Sequence, residues 1–252
     1  MSRILLVPGN GNNRVETSMW YPSVVKRLAE AKDAQSGGPL FPGGYELRTF
    51  PDYLLAREHI WTKFMEEELR IGENDVVIGH SSGAAAILRY AETRKVKGIV
   101  LVSAYHSDLG DDMERASGYF NRPWKWDDIA KNAEWIVQFS SPSDHLVPID
   151  EQRFVSRQLN GVDYIELPGR GHFISDRTFP ELVEKQYKYD VTMSCGGCPG
   201  AIIRTLKKLD GVDNFDVSLE NQSVTVDSAT LSKQEILTAI QQTGKPAMVA
   251  EN

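Results

Sequence analysis

Apolar positions in the first 180 or so residues fall into short continuous runs, separated by longer stretches where they recur every three or four residues. The runs RILLVPG (3–9), YELRTF (45–50), DVVIGH (75–80), KGIVLVSA (97–104), EWIVQFS (134–140) and VDYIELPG (162–169) read as strands. Several are apolar almost throughout, the mark of parallel strands covered on both faces. Helical periodicity occupies about 19–32, 56–70, 82–94, 126–132 and 149–159. Strands alternating with helices predict an α/β fold with a doubly wound parallel sheet and right-handed crossovers. AQSGGPLFPGG (34–44) is Gly/Pro-rich and reads as a surface loop. Segment 105–125 is polar, glycine-punctuated and aromatic-rich, and reads as a loop over one end of the sheet.

Near residues 183–187 the rhythm changes. KQYKYDVT (185–192), VDNFDVSLEN (212–221), SVTVDSA (223–229) and PAMVA (246–250) read as strands, three of them with clear alternation. CPGAIIRTLKKLDG (198–211) and SKQEILTAIQQTG (232–244) read as helices. Ser232 with Glu235 three residues on is a capping box. The order β-α-β-β-α-β predicts a small α+β, ferredoxin-like domain. We therefore expect two domains, 1–184 and 185–252.

Composition narrows the picture further. At 252 residues and 41% hydrophobic the chain can bury a substantial core. A net charge of −7 argues against general nucleic-acid binding, which needs a basic stripe. No apolar run approaches the roughly 18 residues of a membrane span. The N-terminal MSRILLVPGNG lacks the long apolar region and cleavage site of a secretion signal and reads as a first strand. Two cysteines with only two residues between them cannot staple a fold, so a reducing, cytoplasmic setting is expected.

GHSSG (79–83) matches G-x-S-x-G and stands where an apolar run gives way to a helical one. A nucleophile elbow needs that setting, with small residues on both flanks of the serine. Ser81 is the candidate nucleophile; a helix N-cap serine is the bland alternative. An acid and then a histidine should follow, each just past a later strand. Asp144 follows EWIVQFS and His172 follows VDYIELPG; Asp150 and Asp163 are rival acids. Of the five histidines (59, 80, 106, 145 and 172) only His172 has the required order and position. The imidazole takes the serine's proton, and the carboxylate fixes its tautomer. Oxyanion donors are expected from the amides of Ser82 and of Asn10 in the turn after the first strand. Trp20, Tyr119, Phe120, Trp124 and Trp126 could wall an aromatic pocket, with packing an equal alternative.

Both cysteines lie in MSCGGC (193–198), between a strand and a helix start, where amides favour thiolates. C-x-x-C alone leaves a metal clip, a redox pair and chance open. No further Cys and no His follows, so a closed zinc site would lack ligands, whereas two thiolates suffice for Cu(I). A thioredoxin-like motif usually carries an aromatic where Ser194 stands. Met193 reads as packing beneath the loop.

The stretches VPGNG, IGHSSGAAAILRYAET, ERASGYFNRPW and GHF resemble the retinoblastoma-binding serine hydrolase family, related to the YdeN-like α/β-hydrolases, over about 3–180. The resemblance implies a Ser81–Asp144–His172 triad and amidase, aminopeptidase or esterase activity on small-molecule or peptide substrates, with no cofactor needed for hydrolysis. The L-x-C-x-E segment of the vertebrate member corresponds to LRIGE (69–73), where Ile71 replaces the cysteine, so that partnership is not carried over. MSCGGC, LDGV, VSLENQSVTV and TGK resemble the heavy-metal-associated domain of Atx-type copper chaperones. That implies Cys195 and Cys198 as Cu(I) ligands, Lys245 offsetting the anionic complex, and a copper-accepting or copper-transporting partner. Residues 187–252 carry six Lys/Arg against eight Asp/Glu, so no basic docking face is expected. The alternative for the whole chain is a non-catalytic protein-binding scaffold with a metal-transfer or thiol-redox tail.

Overall fold

The computed structural model describes all residues except 33–35, 184, 195, 229–230 and 251–252, and only the backbone of 185 and 186. The chain packs as two compact units, 1–29 with 41–178 and 30–40 with 179–252.

In chain order the first unit's elements are β1 (Ile4–Val7), α1 (Tyr21–Glu30), β2 (Tyr45–Leu47), α2 (Glu58–Lys63), β3 (Val76–His80) and α3 (Ser82–Ala91). They continue as β4 (Val96–Val102), α4 (Asp112–Ser117), α5 (Trp126–Lys131), β5 (Ala133–Ser140), α6 (Ile149–Gln158) and β6 (Asp163–Glu166). The strands form one sheet in the order β2-β1-β3-β4-β5-β6, parallel throughout. Every residue of β1 and β3 is buried, which explains why those runs do not alternate. After β1 the chain crosses to β2 on one side and then returns to β3 on the other. This reversal opens a crevice at the strands' C-terminal ends, the usual ligand position in open α/β sheets.

α3 is buried along its whole length, including Arg89. That guanidinium is satisfied by Glu92 and by the carbonyls of Tyr119, Arg122 (2.7 Å) and Pro123 (3.0 Å), and lies 3.6 Å over the Trp124 ring. It thereby ties residues 119–124 to the core. Segment 105–125 is not a plain loop, because α4 lies inside it. Asp111 caps α4 by accepting from the Met113 and Glu114 amides at 2.8 and 3.0 Å, and Gly118 ends it with φ 90°. The glycines that suggested a loop bound a short helix.

The second unit carries α7 (Pro180–Val183), β7 (Lys185–Val191), α8 (Gly197–Leu206), β8 (Asn214–Ser218), β9 (Ser223–Ser228), α9 (Lys233–Gln241) and β10 (Ala247–Val249). Its sheet runs β10-β7-β9-β8, antiparallel, the βαββαβ order read from the sequence. Tyr189, Val191, Ile202, Leu206, Val224, Val226, Ile236 and Ile240 fill its core. The Ser232–Glu235 capping box is present, with the Ser232 amide donating to Glu235 Oε2 at 2.8 Å. No described helix is long and apolar enough to cross a membrane.

Candidate active site and thiol loop

Ser81 sits between β3 and α3 with φ 56° and ψ −121°, a left-handed conformation that costs a side-chain-bearing residue free energy. Its neighbours make the turn possible. A Cβ on Gly83 would collide with the carbonyl oxygens of Val7 and Pro8, and one on Gly79 would lie 2.7 Å from the Gly83 oxygen. The Ser81 amide is held by the Val102 carbonyl at 2.9 Å. The turn therefore presents Ser81 in a cleft of about 840 Å³ at the crevice of the sheet.

His172 and Asp144 meet in the same place. Asp144 Oδ2 lies 2.9 Å and Oδ1 3.0 Å from His172 Nδ1. The Asp144 side chain is fully buried and that of His172 nearly so. Oδ1 also accepts from the Leu146 and Val147 amides at 2.9 Å, and Oδ2 from the Ser103 hydroxyl at 2.7 Å. Burial pushes the Asp144 carboxyl up. The His172 bond and charge, the Val147 amide and the Ser103 hydroxyl outweigh it and hold the group below the usual carboxylate range. Asp150, the rival acid, has a side chain 93% exposed. Among the described residues no hydrogen bond joins the Ser81 hydroxyl to His172; in substrate-free hydrolases such bonds are often long and tighten in the substrate complex. Among the described residues, neither the Asn10 nor the Ser82 amide donates to another protein group. Asn10 lines the cleft beside Ser81.

His80, to which the sequence assigns no role, is buried beside Ser81. Its Nε2 lies 2.9 Å from the His172 carbonyl oxygen, and its Nδ1 lies 2.7 Å from the Tyr21 hydroxyl. A carbonyl can only accept, so Nε2 carries the proton and Nδ1 accepts from Tyr21. The Tyr21 oxygen accepts in turn from the Gly9 amide at 3.2 Å. Burial, and then the nearby His172, lower the His80 pKa to about 3, keeping the ring neutral. One bonded chain thus ties the β1 turn, the elbow and the His172 loop together. No local motif announces it, because Tyr21 and His80 are 59 residues apart.

The proposed aromatic pocket is not what forms. Trp20 and Tyr119 are fully buried. The Trp20 indole donates to the Phe173 carbonyl and that of Trp124 to His106, both at 2.8 Å. None of the five candidate aromatics lines the cleft. Its rim is aliphatic instead, with Leu146 52%, Met113 44% and Ile174 38% exposed.

In the second unit Cys195 lies outside the described residues. Cys198 is the second residue of α8, 1% exposed, with its sulfur 3.9 Å from the Ser194 hydroxyl. Met193 is buried in the same core, as the sequence suggested. Gln222, which the sequence did not single out, holds Met193 by both main-chain groups. Its Oε1 accepts from the Met193 amide at 2.6 Å, and its Nε2 donates to the Met193 carbonyl at 3.0 Å. The Thr192 amide donates to the Pro246 carbonyl at 2.9 Å, which sets the residue after Lys245 against the start of the thiol loop.

A strand-to-helix elbow on a wholly parallel sheet, with a His–carboxylate pair at later strand ends, defines an α/β-hydrolase. Residues 4–188 match the serine hydrolase family, and the chain belongs to it. Residues 188–246 match the heavy-metal-associated domain. Serine hydrolase RBBP9 of Rattus norvegicus is 45% identical over 183 residues, 72% of this chain and 92% of that protein. The solved structure of the ydeN gene product from B. subtilis covers 72% of this chain and 95% of its own, with a TM-score of 0.61 and 21% identity, a likeness of fold. The copper transport protein ATOX1 homolog of Dictyostelium discoideum is 41% identical over 63 residues, 25% of this chain and 94% of that protein. The chain is therefore a serine hydrolase domain fused to a heavy-metal-associated, copper-chaperone-like domain.

Proposed function

We propose that the hydrolase domain cleaves small ester or amide substrates, peptides included, by acyl transfer through Ser81, in the manner of an esterase or aminopeptidase. The strained backbone of Ser81, beside the buried His172–Asp144 pair, carries this reading. Ser81 Oγ attacks the carbonyl carbon while His172 Nε2 takes its proton. Asp144 holds Nδ1 and stabilises the imidazolium. The Asn10 and Ser82 amides receive the oxyanion. His172 then protonates the leaving alcohol or amine, and water repeats the sequence in reverse to release the acid. These residues supply every group acyl transfer needs, so hydrolysis requires no cofactor.

The tail, separated from the hydrolase between residues 184 and 185, carries Cu(I) as cargo on Cys195 and Cys198. Two soft thiol donors without histidine suit two-coordinate Cu(I). Met193 packs beneath the loop, and Lys245 offsets the complex's negative charge. A copper-accepting protein in a reducing, cytoplasmic compartment would be its partner.

Two measurements test the reading. A fluorophosphonate probe should label the full chain and not Ser81→Ala; equal labelling would leave an inert scaffold. Competition with a Cu(I) chelator should find one tight equivalent that Cys195→Ser loses, and no binding above the chelator's background would remove the copper assignment.

A further inference from the structure

The cleft holds a carboxylate that acyl transfer does not use. Glu114, on α4, lines the cavity with Ser81 and His172. Its Oε2 accepts from the Tyr105 hydroxyl at 2.7 Å, and that hydroxyl lies 3.3 Å from Ser82 Oγ. Its Oε1 lies 3.4 Å from the Asn10 side-chain amide. Both contacts lead to the residues whose amides flank the oxyanion position. Among the described residues no cationic side chain pairs with Glu114. Arg177, the cation lining the cleft, donates to the Thr17 carbonyl, and the Asp111 carboxylate is taken up capping α4. Burial, together with the nearby charges of Asp111 and Asp108, pushes the Glu114 carboxyl up against the pull of Tyr105 and His172.

A half-buried anion beside an oxyanion hole is a puzzle on its own, because its charge opposes the charge that develops on the substrate oxygen. A substrate cation between the two resolves it. An amine on the carbon next to the scissile carbonyl falls in that position, since its carbonyl oxygen must sit at the Asn10 and Ser82 amides. The exposed Leu146, Met113 and Ile174 around the mouth supply apolar contact for the rest of the acyl group.

We propose that Glu114 is the residue of the cleft that binds a substrate's α-ammonium group, and that it sets how strongly the domain favours acyl groups with a free amine over neutral ones. The proposal rests on the acyl-transfer reading of Ser81. The carboxylate pairs with the ammonium in the bound state, and the ammonium's charge offsets that of the carboxylate as the oxyanion forms. Neutral acyl groups leave the carboxylate without a counter-charge.

The test compares three substrates on the full chain: the ethyl esters of leucine, N-acetylleucine and 4-methylpentanoic acid. A carboxylate–ammonium pair of this kind predicts a preference in kcat/KM of about tenfold or more for the free-amino ester, falling toward parity in Glu114→Gln. Equal kcat/KM for the three esters in the wild type, or a preference that survives Glu114→Gln, overturns the proposal. Failure of all three esters together with absent probe labelling overturns the acyl-transfer reading and this inference with it. Should Glu114→Gln fold poorly, protection of Ser81 from the fluorophosphonate decides the matter in the wild type. Leucinamide should protect at lower concentration than 4-methylpentanamide, and equal protection overturns the assignment.

Discussion

Acid should loosen the hydrolase domain through one histidine. The His80 ring is neutral in the native state with a pKa of about 3, against about 6.5 in an unfolded chain. Between those values the unfolded state binds a proton that the native state does not, so stability rises with pH and is lost as pH falls. Integrating the difference from about pH 7.5 to about pH 5 gives a loss of about 2 kcal/mol from this residue alone. All five tryptophans lie at or before Trp135, so indole fluorescence in urea reports the hydrolase unit without contribution from the tail. The measurement is the unfolding free energy of wild type and His80→Gln at several pH values in that window. His80→Gln should start lower, because it disturbs the bonds to Tyr21 and His172, but its curve should be shallower by about 2 kcal/mol over the window. Parallel curves would refute the reasoning, since the other histidines are common to both proteins.

Four further variants have outcomes that follow from the geometry. Ser81→Ala should lose about a millionfold in kcat and Asp144→Asn about ten-thousandfold, both read by ester hydrolysis against intact folded protein. Gln222→Ala should release both main-chain groups of Met193, costing the tail about 1–2 kcal/mol and speeding hydrogen exchange at the Met193 amide. Gly83→Ala forces a methyl against the Val7 and Pro8 carbonyls and should destabilise the hydrolase unit by more than about 3 kcal/mol, measured by urea unfolding.

Both sheets were legible from pattern because their buried strands are continuous or alternating in register with the fold. The elbow was legible because glycine, serine and helix onset are neighbours in the chain. α4 was missed although Asp111 and Glu114 stand at the spacing of an N-cap and its third residue, a signal that outweighs the flanking glycines. The His80–Tyr21 link and the Gln222 clamp on Met193 could not be read. Each joins residues far apart in sequence, and neither side chain belongs to a pattern until the fold brings it to its partner. The expected aromatic pocket failed for the same reason. Trp20 and Tyr119 satisfy a packing pattern, and only tertiary structure says that they face inward.

The pairing of β7 with β10 bears on how such chains can be assembled. Val249 lies opposite Tyr189 and Ala247 opposite Val191, so the entry and exit of the four-stranded sheet occupy adjacent strands. The thiol loop follows the far end of β7, about 20 Å along the strand from where it begins. A sheet so arranged can be joined at its entry to an unrelated fold, or cut and reclosed between its ends, without threading the connection past the cysteines. That makes it a portable cassette, suited to transplantation onto other carriers.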